Sequence, residues 1–289
     1  MKKILITGAN SYIGTSFEKW MSQYDGYEID TIDMIDPSWR EHDFSKYDVV
    51  FHVAGIAHAD IKALSESDKE NYYKINRDLT VETAKKAKES GVKQFIFMSS
   101  IIVFGSNNIK ITKNTVPAPD NFYGDSKLQA DNMLCKLCDE NFKVTIIRPP
   151  MIYGRGSKGN YPKLSSLIKK ICIFPSVSNI RSMLYIENLC KFIELMIDNE
   201  ENGIFYPQNE EYVNVYEMVK VIASANGKKV RGVSLFNPVL KILSKRVKLL
   251  NKIFGELFYD REMSEYKIPY AVVDFEESIK RTELGENCG

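Results

Sequence analysis

Five short apolar runs recur along the first half of the chain: "KILIT" at 3–7, "YEIDTID" at 27–33, "DVVFHV" at 48–53, "QFIFMSS" at 94–100 and "KVTIIR" at 143–148. Each is followed by a polar or amphipathic stretch of helical character. The runs carry β-branched and aromatic residues at odd and even positions alike. A strand with one wet face alternates, whereas a strand apolar at both parities is covered on both faces, as in a parallel sheet flanked by helices. This rhythm predicts an α/β fold built on a doubly wound parallel sheet. Such sheets bind ligands outside the carboxyl ends of their strands, so the residues just after each run are where chemistry is expected.

The rhythm breaks after Arg148 at "RPPMIYGRGSKGNYP", a loop rich in glycine and proline. Beyond it come short helical patterns and isolated strand-like pieces such as "RSMLYI" and "GIFYPQ". The expected organisation is a sheet domain over 1–150 and a smaller mixed lobe over 151–289, with a strand or helix exchanged between them. No internal repeat or low-complexity tract is present. Lysine plus arginine total 39 against 38 aspartate plus glutamate, a net charge of +1 that offers no global field to nucleic acid or anionic lipid. Small-molecule chemistry is the expectation that remains. The apolar run of "MKKILITG" is broken at Thr7 and Gly8, too early for a secretion signal or a membrane span, so a cytoplasmic protein with no integral membrane segment is predicted. Five cysteines, Cys135, Cys138, Cys172, Cys190 and Cys288, are odd in number and irregular in spacing, which suits reduced thiols. Cys135 and Cys138 form one CxxC without a second, and His42, His52 and His58 have no ligand spacing, so no metal site is expected.

The first turn, "TGANSYIG", places Gly8 for a tight bend after the first strand and Gly14 for close packing of the following helix. Tyr12 and Ile13 open that helix, whose N-terminus can face a pyrophosphate. Ser11 occupies the slot where backbone usually approaches the ligand, and is expected to line it with its side chain turned aside or donating a hydrogen bond. Such a glycine turn also occurs without a ligand. Asp33, about 20 residues further on at the end of the second run, is placed to accept both ribose hydroxyls of NAD and to repel a 2′-phosphate. Asp43 and Phe44 can bracket an adenine, the first by hydrogen bonds and the second by apolar contact. Val53, Ala54 and Gly55, small after the third run, leave room for the dinucleotide backbone. His52 beside them and His58 in the loop behind can touch ligand or serve the fold.

"NFYGDSKLQAD" holds Tyr123 and Lys127 four apart, about 6 Å from each other on one helix face. A phenol with an ordinary pKa of about 10 is a poor base at neutral pH, and a nearby ammonium favours the phenolate. Lys127 can supply that charge and also hold a nicotinamide ribose. Ser100 ends the fourth run, where its hydroxyl can hydrogen-bond a substrate oxygen beside Tyr123. Together the three compose a proton-transfer unit next to a hydride acceptor.

On these residues the chain resembles the extended short-chain dehydrogenases that modify nucleotide sugars, the NAD-dependent epimerase/dehydratase family of Rossmann fold. The likeness runs through "TGANSYIG", "HDF", "VFHVAG", "MSSIIVFG", "YGDSK", "IIRPPMIYGRG" and "RSMLYIENL", in the family's order. The resemblance implies Tyr123 as catalytic acid or base, Lys127 as its partner, Ser100 as the hydroxyl orienting the sugar oxygen and Arg181 as a contact for the substrate diphosphate. It matches Asn76 to an asparagine that begins a long helix and supports the site, and it implies a homodimer. Ile101 and Ile102 stand where family dehydratases carry an Asp-Glu pair, which argues against dehydration. Pro149, Pro150 and Met151 replace the asparagine common in UDP-galactose-type epimerases, and a second diphosphate arginine has no clear counterpart. The stretch after Gly154 looks most like a bacterial polysaccharide subgroup. The reading that follows is NAD-dependent epimerisation at C4 of a UDP-hexose. Net 4-reduction of a UDP-4-keto-6-deoxy-hexose and a non-catalytic NAD-binding sensor stand as alternatives. An amphipathic stretch over 237–259, with Val239, Leu243, Val247, Leu250, Phe254 and Leu257 at helical spacing, can dock on the protein or lie on a membrane.

Overall fold

The computed structural model describes residues 1–57, 66–106, 108–235, 237 and 254–285. His58, Cys288 and most of the amphipathic stretch over 237–259 lie outside the described residues. The chain divides into two compact units. The first comprises Met1–Asn107, Thr115–Pro149 and Leu189–Pro207, and the second Asn108–Asn114, Pro150–Asn188 and Gln208–Gly289.

The first unit is built on six parallel strands: β1 (Lys2–Thr7), β2 (Tyr27–Ile32), β3 (Val49–His52), β4 (Gln94–Met98), β5 (Lys143–Ile147) and β6 (Gly203–Phe205). Their order is β6-β5-β4-β3-β1-β2. The predicted doubly wound parallel sheet is therefore the one observed. Register is set by pairs such as Ile4 with Ile29 on one side of β1 and Ile4 with Val49 on the other. β3 and β4 are buried at every position, as their apolar character at both parities requires, while β2 lies at the edge and is only half-buried. β6 and the loop after it belong to "GIFYPQ", expected to be an isolated piece. Instead Gly203, Ile204 and Phe205 pair with Thr145, Ile146 and Ile147, and Phe205 meets Phe192 edge-to-face at 6.0 Å. A three-residue strand that begins with glycine is too short to show any period.

Helices cover the sheet. α1 (Tyr12–Met21) seats Phe17 against Phe51 of β3, with ring centroids 5.2 Å apart. α2 (Glu66–Tyr73) runs through a π-helical turn, Lys74–Leu79, into α3 (Thr80–Glu89), and α4 spans Phe122–Cys135. The order of the strands reverses between β1 and β3, so the carboxyl ends of those two strands form a switch point, where open α/β sheets leave a crevice for ligand.

The second unit consists of short parallel pairs, Met151–Tyr153 with Met183–Tyr185, Ile173–Pro175 with Arg231–Val233, and Lys110–Ile111 with Phe258–Tyr259. Helices Asn160–Ile168, Val215–Ala225 and Phe275–Leu284 accompany them. Glu283 ties three of these elements together, accepting from Tyr161, Ser165 and Asn226 and pairing with Lys169 at 3.0 Å. Phe254, from the amphipathic stretch, packs on Phe174 at 5.7 Å. No helix among the described residues is long and apolar enough to cross a membrane.

Candidate active site

The loop after β1 is drawn tightly against the end of β3. Gly8 has φ +106°, and a Cβ there would lie 2.8 Å from the Ala54 nitrogen, so only glycine allows the approach. Gly14 meets the same condition inside α1: a Cβ would sit 3.2 Å from side-chain carbons of both Ile6 and Val53. The bend continues through Asn10 at φ +63°, a residue that tolerates the left-handed region. Ser11 is the N-cap of α1, its Oγ accepting from the Gly14 N–H at 3.1 Å. Its side chain is thus bent onto the helix, with Tyr12 and Ile13 forming the first turn beside it.

Asp33 follows β2, exposed, its carboxylate also accepting from the Ile35 N–H at 2.9 Å. Asp43 is exposed and closes a small turn onto Ser45. Phe44 departs from expectation. Its ring is fully buried in a core cluster with Trp39 and Tyr47, so apolar contact with an adenine is not available to it. The whole residue is buried, because its side chain anchors the loop to the sheet.

Gly55 lies where a Cβ would come within 2.9 Å of Asn76 Oδ1 and 3.3 Å of Lys127 Nζ. Asn76, wholly buried, accepts from the Ile56 N–H at 2.8 Å and donates to the Ile56 carbonyl at 3.0 Å and to Ser126 Oγ at 3.2 Å. It clamps the loop after β3 to α4. Contrary to the expectation that it begins a helix, it sits in the π-helical turn within the continuous run from Glu66 to Glu89, where the widened ladder turns its amide inward. Behind it His52 bridges Thr7 Oγ1 at 2.7 Å and Thr80 Oγ1 at 3.0 Å, stacked beside Phe95. Thr80 donates its own proton to the Asn76 carbonyl, which leaves its oxygen to accept from His52 Nε2–H. Burial holds the His52 pKa down at about 3. His52 serves the fold.

The chemical residues stand at the ends of β4 and α4. Ser100 leaves β4 extended and caps the 3-10 turn Ile101–Phe104. Asn121 caps α4 by accepting from the Gly124 N–H at 2.9 Å. Gly124, where a Cβ would meet the Ile102 carbonyl oxygen at 2.8 Å, lets this helix end close on the Ser100 turn. The Ser100 hydroxyl thereby comes beside the half-buried Tyr123 phenol. Burial raises the Tyr123 pKa, and the neighbouring Ser100 hydroxyl works against that rise. Lys127, buried, donates from Nζ to the Met98 carbonyl at 2.8 Å and lies 4.4 Å over the Phe97 ring. Burial pulls its pKa down to about 8, with Asp131 opposing. The expected direct electrostatic support of a phenolate by Lys127 is therefore not what governs Tyr123 in this structure: burial dominates, and the ammonium is turned to the end of β4.

One residue that sequence reasoning passed over lies beneath this set. Asp131 is 1% exposed and its Oδ2 accepts from Ser99 Oγ at 3.0 Å and from Arg148 Nε at 2.9 Å. The signal was present, since Asp131 follows Lys127 by four residues on one helix face. Among the described residues, no group of three or more His, Cys, Asp or Glu side chains is placed to hold a metal ion. Arg181 belongs to the second unit. Its backbone bridges to Val213 and Leu257, and its Nη1 donates to the Gly255 carbonyl at 3.1 Å. It lines a small concavity with Met151, Tyr161, Leu164, Val215 and Met218, where burial lowers its pKa.

In the first unit the residues present fit a dinucleotide. Two glycines let the turn after β1 and the start of α1 pack against the end of β3, a helix N-terminus meets that turn, and a carboxylate follows β2. The family model described as "NAD dependent epimerase/dehydratase family" matches residues 4–212. UDP-glucose 4-epimerase of Vibrio cholerae is 33% identical over 254 residues, covering 78% of this chain and 76% of that protein. N-acetyl-alpha-D-glucosaminyl-diphospho-ditrans,octacis-undecaprenol 4-epimerase of Escherichia coli O157:H7 is 25% identical, covering 88% of this chain and 82% of that protein. The crystal structure of UDP-glucuronic acid 4-epimerase from Bacillus cereus in complex with NAD has the same fold, with TM-score 0.74, 18% identity and 96% of each chain covered. A family match over more than two thirds of the chain, joined to a relative one-third identical, establishes that this protein belongs to the NAD dependent epimerase/dehydratase family and that its coenzyme is NAD.

Proposed function

We propose that the protein is a nucleotide-sugar 4-epimerase acting on a UDP-hexose in the biosynthesis of a surface polysaccharide, as a cytoplasmic homodimer. The observation that carries this reading is the placing of Ser100, Tyr123 and the buried Lys127 together at the carboxyl edge of the sheet that carries the glycine turn. The names of the two relatives support C4 as the reacting carbon. NAD, when bound, supplies the hydride acceptor and the positive charge of its nicotinamide ring. Tyr123 takes the proton of the C4 hydroxyl and later returns it, Ser100 orients that oxygen, and Lys127 holds ribose and adds positive charge. Gly8, Ser11, Tyr12, Ile13 and Gly14 line the pyrophosphate, Asp33 accepts from ribose, and Asp43, Val53, Ala54, Gly55 and Asn76 complete the coenzyme site. Arg181 of the second unit contacts the substrate diphosphate.

The raised Tyr123 pKa supports a resting phenol, the form that protonates a 4-keto intermediate. Opening the cycle requires its deprotonation, which the positive charges of Lys127 and coenzyme favour. The test is incubation of purified protein with UDP-glucose, UDP-GlcNAc or a UDP-4-keto-6-deoxy sugar, with and without NADH. Interconversion of a UDP-hexose at C4 without added coenzyme is the expected result. NADH consumed in proportion to keto sugar would make the protein a 4-reductase, and NAD binding without turnover of any sugar would make it a sensor.

A further inference from the structure

Among the described residues, the near partners of the buried Lys127 ammonium are a neutral carbonyl and an aromatic face, Met98 oxygen at 2.8 Å and the Phe97 ring at 4.4 Å. A cation taken out of water in this way needs a counter-charge or gives up its proton. One helical turn along α4 stands Asp131, 1% exposed, with Oδ2 accepting from Ser99 and Arg148 while its buried Oδ1 accepts no hydrogen bond. We propose that Asp131 is a positioning residue that acts through Lys127, keeping the lysine protonated in its buried site while the same carboxylate holds Ser99 and thereby the start of the Ser100 turn. This rests on the reading of Lys127 as part of the coenzyme and proton-transfer site.

The groups facing this pair support one sign of effect. From α4 come the Tyr123 phenol and the Cys135 thiol, from β3 the neutral His52, from the end of β5 the Arg148 guanidinium, and from the loop after β6 the Tyr206 phenol. Tyr123, Tyr206 and Cys135 are neutral near pH 7, so the fixed charges are two cations and one carboxylate. Arg148 keeps its charge at any working pH and is a like charge to Lys127. Removing the carboxylate therefore leaves Lys127 buried with no anion and a neighbouring cation, and its proton is lost at lower pH. Burial already draws the lysine to about 8 with Asp131 in place, so the working range lies close to the edge that the carboxylate controls.

The experiment is a pH titration of the lysine Cε resonances in protein labelled with ¹³C-lysine, with the Lys127 signal assigned by its absence in Lys127→Met. Asp131→Asn is expected to move the Lys127 midpoint down by about one pH unit or more, tenfold in proton affinity. Asp131→Glu is expected to restore most of that shift. NAD affinity, followed by coenzyme binding against pH, should show its alkaline fall at correspondingly lower pH in Asp131→Asn. Since Asp131→Asn leaves Arg148 buried without its partner, the pair Asp131→Asn/Arg148→Met, which removes both charges, is measured if the single variant does not fold. An unchanged Lys127 midpoint in folded Asp131→Asn, or in Asp131→Asn/Arg148→Met compared with Arg148→Met alone, or failure of Asp131→Glu to restore the shift, overturns the proposal. A wild-type protein that turns over no sugar but shows the predicted lysine shifts would instead defeat the epimerase reading and leave this one standing.

Discussion

Acid should destabilise the first unit through one ring. His52 is fully buried, bridges two threonines and is held neutral, with its pKa lowered from 6.5 to about 3 by burial, and further by Lys127. In the unfolded chain the same imidazole takes a proton near pH 6.5. Between those values the unfolded state binds more protons than the native one, so stability rises with pH and is lost progressively as pH falls from about 6.5 toward 3. Each unit of pKa difference corresponds to about 1.4 kcal/mol, which gives roughly 5 kcal/mol for the whole window and roughly 2 kcal/mol already at pH 5. That is a substantial part of the ~5–15 kcal/mol that holds an ordinary domain. Asp131 works in the opposite sense. Its pKa is raised to about 6 by burial, so its contribution is present below the unfolded carboxylate value and is lost as pH rises through 6. The net acid profile of the protein therefore mixes two signs, and a difference of differences is needed to separate them. Urea unfolding of wild type and His52→Gln at pH 7 and pH 5 supplies it. Wild type should lose about 2 kcal/mol more than the variant between those pH values. Equal losses in the two proteins would mean that His52 carries its proton in the native state, and the neutral bridging ring would be refuted.

Tyr123→Phe should retain NAD binding and lose turnover by about 100-fold or more, measured by product formation from the active UDP-hexose. Gly8→Ala places a side chain at φ +106° and 2.8 Å from the Ala54 nitrogen, so both thermal stability and NAD affinity should fall, with strain of about 1–3 kcal/mol visible in unfolding curves. Asp33→Ser should weaken NAD binding about tenfold or more and allow NADPH to compete, read by coenzyme titration. Phe44→Ala should cost about 3–5 kcal/mol of stability, a core effect seen in urea unfolding whether or not coenzyme is present.

The sheet was readable because β1, β3, β4 and β5 carry their burial in their composition: strands covered on both faces are apolar at both parities, and their few polar residues, Thr7, His52, Gln94 and Thr145, are hydrogen-bonded. The glycine turn was readable for a related reason, as Gly8 and Gly14 each stand where backbone or packing excludes a Cβ. Ser100 and Tyr123 could be paired from their places at strand and helix ends. What the sequence concealed was long-range. Phe44 looked available because nothing local says that its ring fills a core with Trp39 and Tyr47. The orientation of Lys127 toward the end of β4 depends on Met98 being there, 29 residues earlier in the chain. Asp131, spaced as any helical neighbour, gains meaning only when Arg148 and Ser99 close around it.

The sixth strand has a consequence for biosynthesis. Gln94, at the start of β4, donates its side-chain amide to the carbonyls of Met196 and Glu201, both at 2.9 Å, and β5 finds its outer neighbour only in Gly203–Phe205. A nascent chain that has delivered residues 1–149 to solvent therefore still has an unpaired edge on β5 and a buried amide with only Thr145 of its three acceptors in place. It must wait through 150–188, which belong to the other unit, before the sheet can close. An excised fragment ending near 150 would expose that edge to other copies of itself, so aggregation during expression, rather than a folded coenzyme-binding module, is the outcome to expect from cutting there.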